Sequence, residues 1–142
     1  MTKSIFICAS MSFYPTVIAL KSELESRGYH VYIPVSAEAM VKAQDFNVDH
    51  FKSSHTPDEK RDFFRTNFSN IEKSDALLVV NETKNGIPGY IGTSVLMEIG
   101  FAFYHKLHIY LWNQYPLDAS YHEELANMGV MVVNQKIEDI HV

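Results

Sequence analysis

One acid interrupts an otherwise apolar run with helical spacing. Glu98 lies inside Val95-Leu96-Met97-Glu98-Ile99-Gly100-Phe101-Ala102-Phe103. On a helix its neighbours three and four residues away are Ser94, Val95, Phe101 and Ala102. Helical side chains lean toward the helix N-terminus, so the carboxylate is aimed at the start of its helix. A capping box would need Ser or Thr three residues earlier, and Val95 stands there. Two readings stay open at this point. Glu98 is a half-exposed acid favoured by the helix dipole, or it is a functional carboxylate aimed at a ligand. Gly100 fits close packing of this helix on a sheet.

Two segments rich in hydroxyls and small residues lead into helix starts. One is Ser10-Met11-Ser12. The other runs from Asn81 through Gly92-Thr93-Ser94. Helix N-termini with unpaired N–H groups suit phosphate or sugar oxygens, and Ser and Thr are also ordinary helix caps. No Walker lysine motif or G-x-G-x-x-G fingerprint is present. The seven histidines and the single Cys8 show no metal-ligand spacing, so neither a metal nor an organic cofactor is implied. No Ser-His-Asp set is recognisable by spacing. Asp75 opens a strand at the far end from these residues and reads as a turn residue. Cys8 reads as core.

These side chains need a frame that brings both segments together. Ile5–Ala9 and Ala76–Val80 are short continuous apolar runs, as in strands covered on both faces. Val31–Ile33, Ile109–Trp112 and Val130–Val133 make three more. Between them, Val17, Leu20 and Leu24 mark a helix that Pro15 opens and Gly28 ends. Phe64, Phe68 and Ile71 mark a second, and Val95, Ile99, Ala102 and Phe103 a third that ends near His105-Lys106. A short helix is expected over Glu123–Asn127. The alternation predicts a single α/β domain over residues 1–142, a doubly wound, flavodoxin-like or Rossmann-like five-stranded parallel sheet of order 2-1-3-4-5. In such sheets ligands sit at the carboxyl ends of the strands where the order reverses, which is where Ser10 and the Asn81–Ser94 segment emerge. From Pro34 to His55 only a weak helical pattern around Ala37–Ala43 is visible, so this stretch reads as a long functional loop.

With 142 residues, 46% hydrophobic and 20% charged, the chain is ordinary globular material. A net charge of −5 argues against a nucleic-acid polymer as partner. No apolar run approaches a membrane span, and the N-terminus does not read as a signal peptide. A cytoplasmic protein is the expectation.

Ile5-Phe6-Ile7-Cys8-Ala9-Ser10, the segment Ile71–Val80 and Glu98-Ile99-Gly100-Phe101-Ala102 together resemble the nucleoside 2-deoxyribosyltransferase superfamily, which includes the 2-deoxynucleoside 5-monophosphate N-glycosidases. The resemblance spans roughly residues 4 to 112. It implies that Glu98 is the nucleophile, attacking the anomeric carbon of a nucleoside or nucleotide as the base departs. A covalent glycosyl-enzyme is then resolved by water or a second base. It also implies a homo-oligomer. Three family positions differ: a strand-one tyrosine corresponds to Phe6, and two aspartates correspond to Asn67 and Gly92. Asn67 hydrogen-bonds but cannot protonate a leaving base. Replacement acids are sought among Asp45, Asp49, His50, His55, Glu82 and Tyr90.

The expectation is therefore cleavage or transfer of an N-glycosidic bond by Glu98. Ser10, Met11, Ser12, Asn67, Asn81, Gly92, Thr93 and Ser94 would hold the small-molecule substrate. Phe46 or Phe51 would stack on the base, and Lys84 is the basic residue expected near a phosphate. The alternative is a non-catalytic nucleotide-binding or sensing module on the same fold. Tyr104, Tyr110 and Tyr115 are candidates for a subunit interface or for the core.

Overall fold

The apolar runs become strands because both of their faces are covered. In the computed structural model, which describes all 142 residues, β1 (Ser4–Ala9) and β3 (Ala76–Val80) are buried along nearly their whole length. They are flanked by β2 (His30–Tyr32), β4 (His108–Leu111) and β5 (Met131–Val132). The five strands form one parallel sheet of order β2-β1-β3-β4-β5, as the alternation predicts. β5 keeps only two of the four expected residues.

Alternate side chains of each strand feed two separate cores. Ile5, Ile7, Ala9, Leu78 and Val80 meet Val17, Leu20 and Leu24 of α1 (Tyr14–Ser26) on one face. Phe6, Cys8, Leu77 and Val79 meet the helices of the other. Those helices are α4 (Pro57–Glu72), α5 (Thr93–Tyr104) and α6 (His122–Asn127), represented in the core by Ile71, by Val95, Ile99 and Ala102, and by Leu125. Full burial of the Ile, Leu, Val and Phe side chains among these contributes about 1.5–3 kcal/mol each. α4 starts sharply, with Pro57 in its first turn and a capping box. The Glu59 N–H donates to Thr56 Oγ1 at 3.2 Å, and the Thr56 N–H donates to Glu59 Oε1 at 3.0 Å. The last residues also belong to the core. Ile140 is buried beside α1, and the Tyr110 hydroxyl donates to the His141 carbonyl.

The expected long loop is two helices, α2 (Val35–Ala43) and α3 (Val48–Ser53). α2 ends where Gln44 turns left-handed at φ 55°, and α3 begins on Asn47, whose side chain accepts the His50 N–H at 2.8 Å. Both helices are short and carry few apolar anchors, chiefly Ala37, Met40 and Phe51, so the periodicity across them is faint. Two other expectations are corrected. Phe103 is about half exposed, and the inward stripe of α5 is Val95, Glu98, Ile99 and Ala102. Gly100 meets no close packing, because a Cβ there would have no atom within 4 Å beyond its own helix.

β1 and β3 pair so that Ala9 lies opposite Val80. Ser10 and Asn81 therefore leave the sheet side by side at its carboxyl edge. This register brings the two chemically promising segments to one place.

Candidate active site at the carboxyl ends of the central strands

A cavity of about 400 Å³ opens at this edge. Its floor and one wall come from the first segment and from the start of α5: Ser10, Met11, Gly92, Thr93, Ser94 and Glu98. The opposite wall comes from α3 and α4, with Phe51, Lys60, Phe63, Phe64 and Asn67. Gly92 adjoins the first segment: a Cβ on it would make ordinary van der Waals contact with Ser10 Oγ at 3.4 Å. Gly92 also precedes α5 without any side-chain cap, which leaves the first-turn N–H groups of this helix facing the opening.

Glu98 is only 7% exposed. Its Oε2 is fully buried and has no hydrogen-bond partner. Burial pushes its carboxyl up to about 8, because desolvation disfavours the charged form. The half-exposed, dipole-stabilised reading therefore fails. A buried acid without partners costs stability, and nothing in the packing around it explains why it is kept. Two neighbours sense it. Burial first, and then the charge of Glu98, raises the thiol of Cys8. Tyr14 lines the same cavity, and its hydroxyl pairs with Ser36 Oγ at 2.5 Å. Burial raises the Tyr14 phenol, the Ser36 hydrogen bond opposes this, and Glu98 adds a smaller push upward.

The cavity gathers six of the eight expected binding residues together with Glu98. The other two lie elsewhere. Ser12 borders a separate polar cleft with Glu82, Thr83, Asn113 and Gln135. Asn81 is fully buried, and its side chain holds backbone together. Its Nδ2 donates to the Asn113 carbonyl at 2.7 Å, and its Oδ1 accepts the Asn113 N–H at 2.9 Å. Asn113 Nδ2 returns a bond to the Asn81 carbonyl at 3.0 Å. The pair ties the exits of β3 and β4 to each other and leaves Asn81 no free polar atom for a ligand.

Asn67 is oriented by its surroundings. Its Oδ1 accepts the Val35 N–H at 3.0 Å, so the amide presents Nδ2 as a donor. None of the expected replacement acids reaches the cavity, for Asp45, Asp49, His50, His55, Glu82 and Tyr90 are all absent from its lining. Asp45 is occupied with His50, its Oδ2 lying 2.5 Å from Nδ1. Phe51 lines the cavity and Phe46 does not. Lys84 is there as expected, and Lys52 and Lys60 join it. The four ion pairs of the molecule include none of these lysines. Sequence reasoning missed Lys60, Phe63 and Ser36. The spacing of Lys60, Phe63, Phe64 and Asn67, at i, i+3, i+4 and i+7 on one helix face, is the signal that could have found the α4 wall. Asp75 stands at the other end of the sheet, where its Oδ2 accepts the Ser4 N–H at 2.9 Å. No group of His, Cys, Asp and Glu side chains is arranged to hold a metal ion.

No family model and no curated protein matches the sequence. Among solved structures, the CMP N-glycosidase BcmB of Clostridium botulinum superposes over 93% of this chain and 90% of its own, with a TM-score of 0.53 and 14% identity. The likeness is one of fold. A 2-deoxyribosyltransferase from Leishmania mexicana superposes over 78% of this chain and 63% of its own, with a TM-score of 0.48 and 12% identity. No helix of this protein is long and apolar enough to cross a membrane.

Proposed function

We propose that this protein cleaves or transfers the N-glycosidic bond of a nucleoside or nucleoside 5′-monophosphate, with Glu98 as nucleophile. One observation carries the reading: the only acid lining the cavity is a buried carboxylate with an unpartnered oxygen. Such a group is poorly suited to an empty site and well suited to a carbon that becomes cationic. As the C1′–N bond lengthens, the positive sugar centre supplies the counter-charge that the protein withholds. A carboxylate oxygen then closes on C1′, as in retaining glycoside hydrolysis. The residue sequence around Glu98 and the fold shared with a CMP N-glycosidase agree with this chemistry.

The other residues take roles by position. Ser10 and Met11 border the sugar. Thr93, Ser94 and the open N–H groups of α5 face a 5′-phosphate, with Lys84 beside them. Three unpaired lysines around a single acid make the cavity locally positive in a chain of net charge −5, which favours the monophosphate over the nucleoside. No metal or cofactor takes part in this scheme. In a homo-oligomer, the half-exposed Met97 and Phe103 and the exposed Tyr104 of α5 offer an apolar contact face, whereas Tyr110 and Tyr115 belong to the core.

The absence of a second acid in the cavity favours one other reading, a binding module that retains nucleotides without cleaving them. Incubation of the protein with ribo- and deoxyribonucleosides and their 5′-monophosphates, followed by chromatography for free base, separates the two. The enzyme reading expects base from at least one monophosphate and none with Glu98→Ala. Retention of nucleotide without any base release favours the module.

A further inference from the structure

The α4 wall pairs two aromatic rings with two hydrogen-bond donors and no acid. Lys60, Phe63, Phe64 and Asn67 share one face of a 16-residue helix and all line the cavity. Phe64 is 41% exposed, an aromatic face open to a planar partner. Phe63 is backed by the rings of Phe51 and His55, with centroids 6.0 and 5.4 Å away. Asn67 is fixed as a donor because the Val35 N–H occupies its Oδ1. Lys60 joins no ion pair.

We infer that this face is the leaving-group subsite, and that it works by donating hydrogen bonds to a departing anion instead of protonating it with a carboxylic acid. The inference rests on the glycosidic reading and adds the class of leaving group to it. That group is a planar heterocycle bearing ring carbonyl or ring nitrogen acceptors, stacked on Phe64 and read by Asn67 Nδ2 and Lys60 Nζ. The bond balance is complete without an acid. The C1′–N bond breaks with its electron pair going to the base, while a Glu98 oxygen bonds C1′. The negative charge spreads onto the ring acceptors, where charge-assisted donors stabilise it best. Water then attacks C1′, the bond to Glu98 breaks, and the proton that water releases neutralises the base anion. A protein built this way favours bases whose N–H is acidic, because their anions form most easily.

Calorimetric titration of the Glu98→Gln protein with free uracil and, separately, with ribose 5-phosphate tests the subsite without any turnover. Uracil binding is expected to weaken at least about fivefold with Lys60→Met and with Asn67→Ala, as loss of a donor to the base predicts, while ribose 5-phosphate loses clearly less than uracil in Lys60→Met, where only long-range attraction falls, and stays nearly unchanged in Asn67→Ala. Lys60→Met removes no ion pair, so it remains informative even if Asn67→Ala unfolds. Unchanged uracil affinity in Lys60→Met and in any folded Asn67→Ala protein overturns the subsite. In the unsubstituted protein, base release is expected to speed up steeply with aglycone N–H acidity, and rates indifferent to that acidity overturn the anionic departure. Uracil binding that depends on both side chains, in a protein that releases no base, upholds the subsite and overturns the glycosidic reading alone.

Discussion

Glu98 links the stability of the protein to its chemistry. Its carboxyl rises from 4.5 to about 8 through burial, so near pH 7 only about a tenth of the free protein carries the ionised nucleophile. Base release is expected to climb with pH through about 8 and to level above about 9, read as kcat/KM against pH. The same shift sets a stability trend of opposite sense. Below about pH 4.5 the carboxyl is protonated in folded and unfolded chains alike, and its contribution to stability is fully present. As pH rises toward 8 the unfolded chain ionises while the folded one holds its proton, and on the order of 3–5 kcal/mol is lost. Glu98→Gln removes this loss. Thermal unfolding is expected to show the variant several degrees more stable than the parent at pH 9 and nearly equal to it at pH 4.5. A midpoint difference that does not vary with pH would mean that Glu98 keeps an ordinary carboxyl.

Secondary-structure elements bring the cavity walls together, and their joints are specific. The paired side chains of Asn81 and Asn113 hold the exits of β3 and β4, and Gly89 closes the same loop. Gly89 has φ +67°, and a Cβ there would fall 1.9 Å from the Gln114 carbonyl oxygen. Asn81→Ala leaves the half-buried N–H and carbonyl of Asn113 without their Asn81 side-chain partners and is expected to cost about 1–3 kcal/mol in urea unfolding. Gly89→Ala is expected to cost about 2 kcal/mol or more, because strain and overlap act together. Both variants should weaken nucleotide binding only indirectly, since neither residue lines the cavity.

How much was legible in the sequence follows from the same elements. The strands and their order were readable because β1 and β3 are unbroken apolar runs, buried on both faces. Glu98 was readable because a charge inside such a run needs a reason. Asn81 was misread because a strand-exit asparagine looks alike whether it faces a ligand or a neighbouring loop. Only the fold reveals Asn113 beside it. The α4 wall was hidden because Phe64 was assigned to the core stripe with Phe68 and Ile71, and the cavity face of the same helix overlaps that stripe. α2 showed only as the weak pattern over Ala37–Ala43, and α3 was hidden because six residues are too few to show a period and Gln44 breaks the pattern before it.

At the scale of the whole molecule, an acidic chain concentrates three free lysines at one opening. Long-range repulsion and local attraction for an anion therefore compete, and salt changes their balance. Binding of a nucleoside 5′-monophosphate is expected to weaken several-fold as salt rises from about 0.05 to 0.5 M, while binding of the parent nucleoside stays nearly constant. Fluorescence or calorimetric titration at the two salt levels measures this. Lys84→Met should remove part of the difference. Equal salt dependence for both ligands would contradict a phosphate held at this site.

The central claim is that Glu98 bonds the anomeric carbon, and rapid acid quenching followed by peptide mass spectrometry tests it most directly. During turnover of a monophosphate that yields free base, the Glu98 peptide is expected to gain the mass of the pentosyl phosphate, and the adduct should vanish in Glu98→Gln together with base release. Base release that persists in Glu98→Gln, with no adduct on any peptide, would contradict the account.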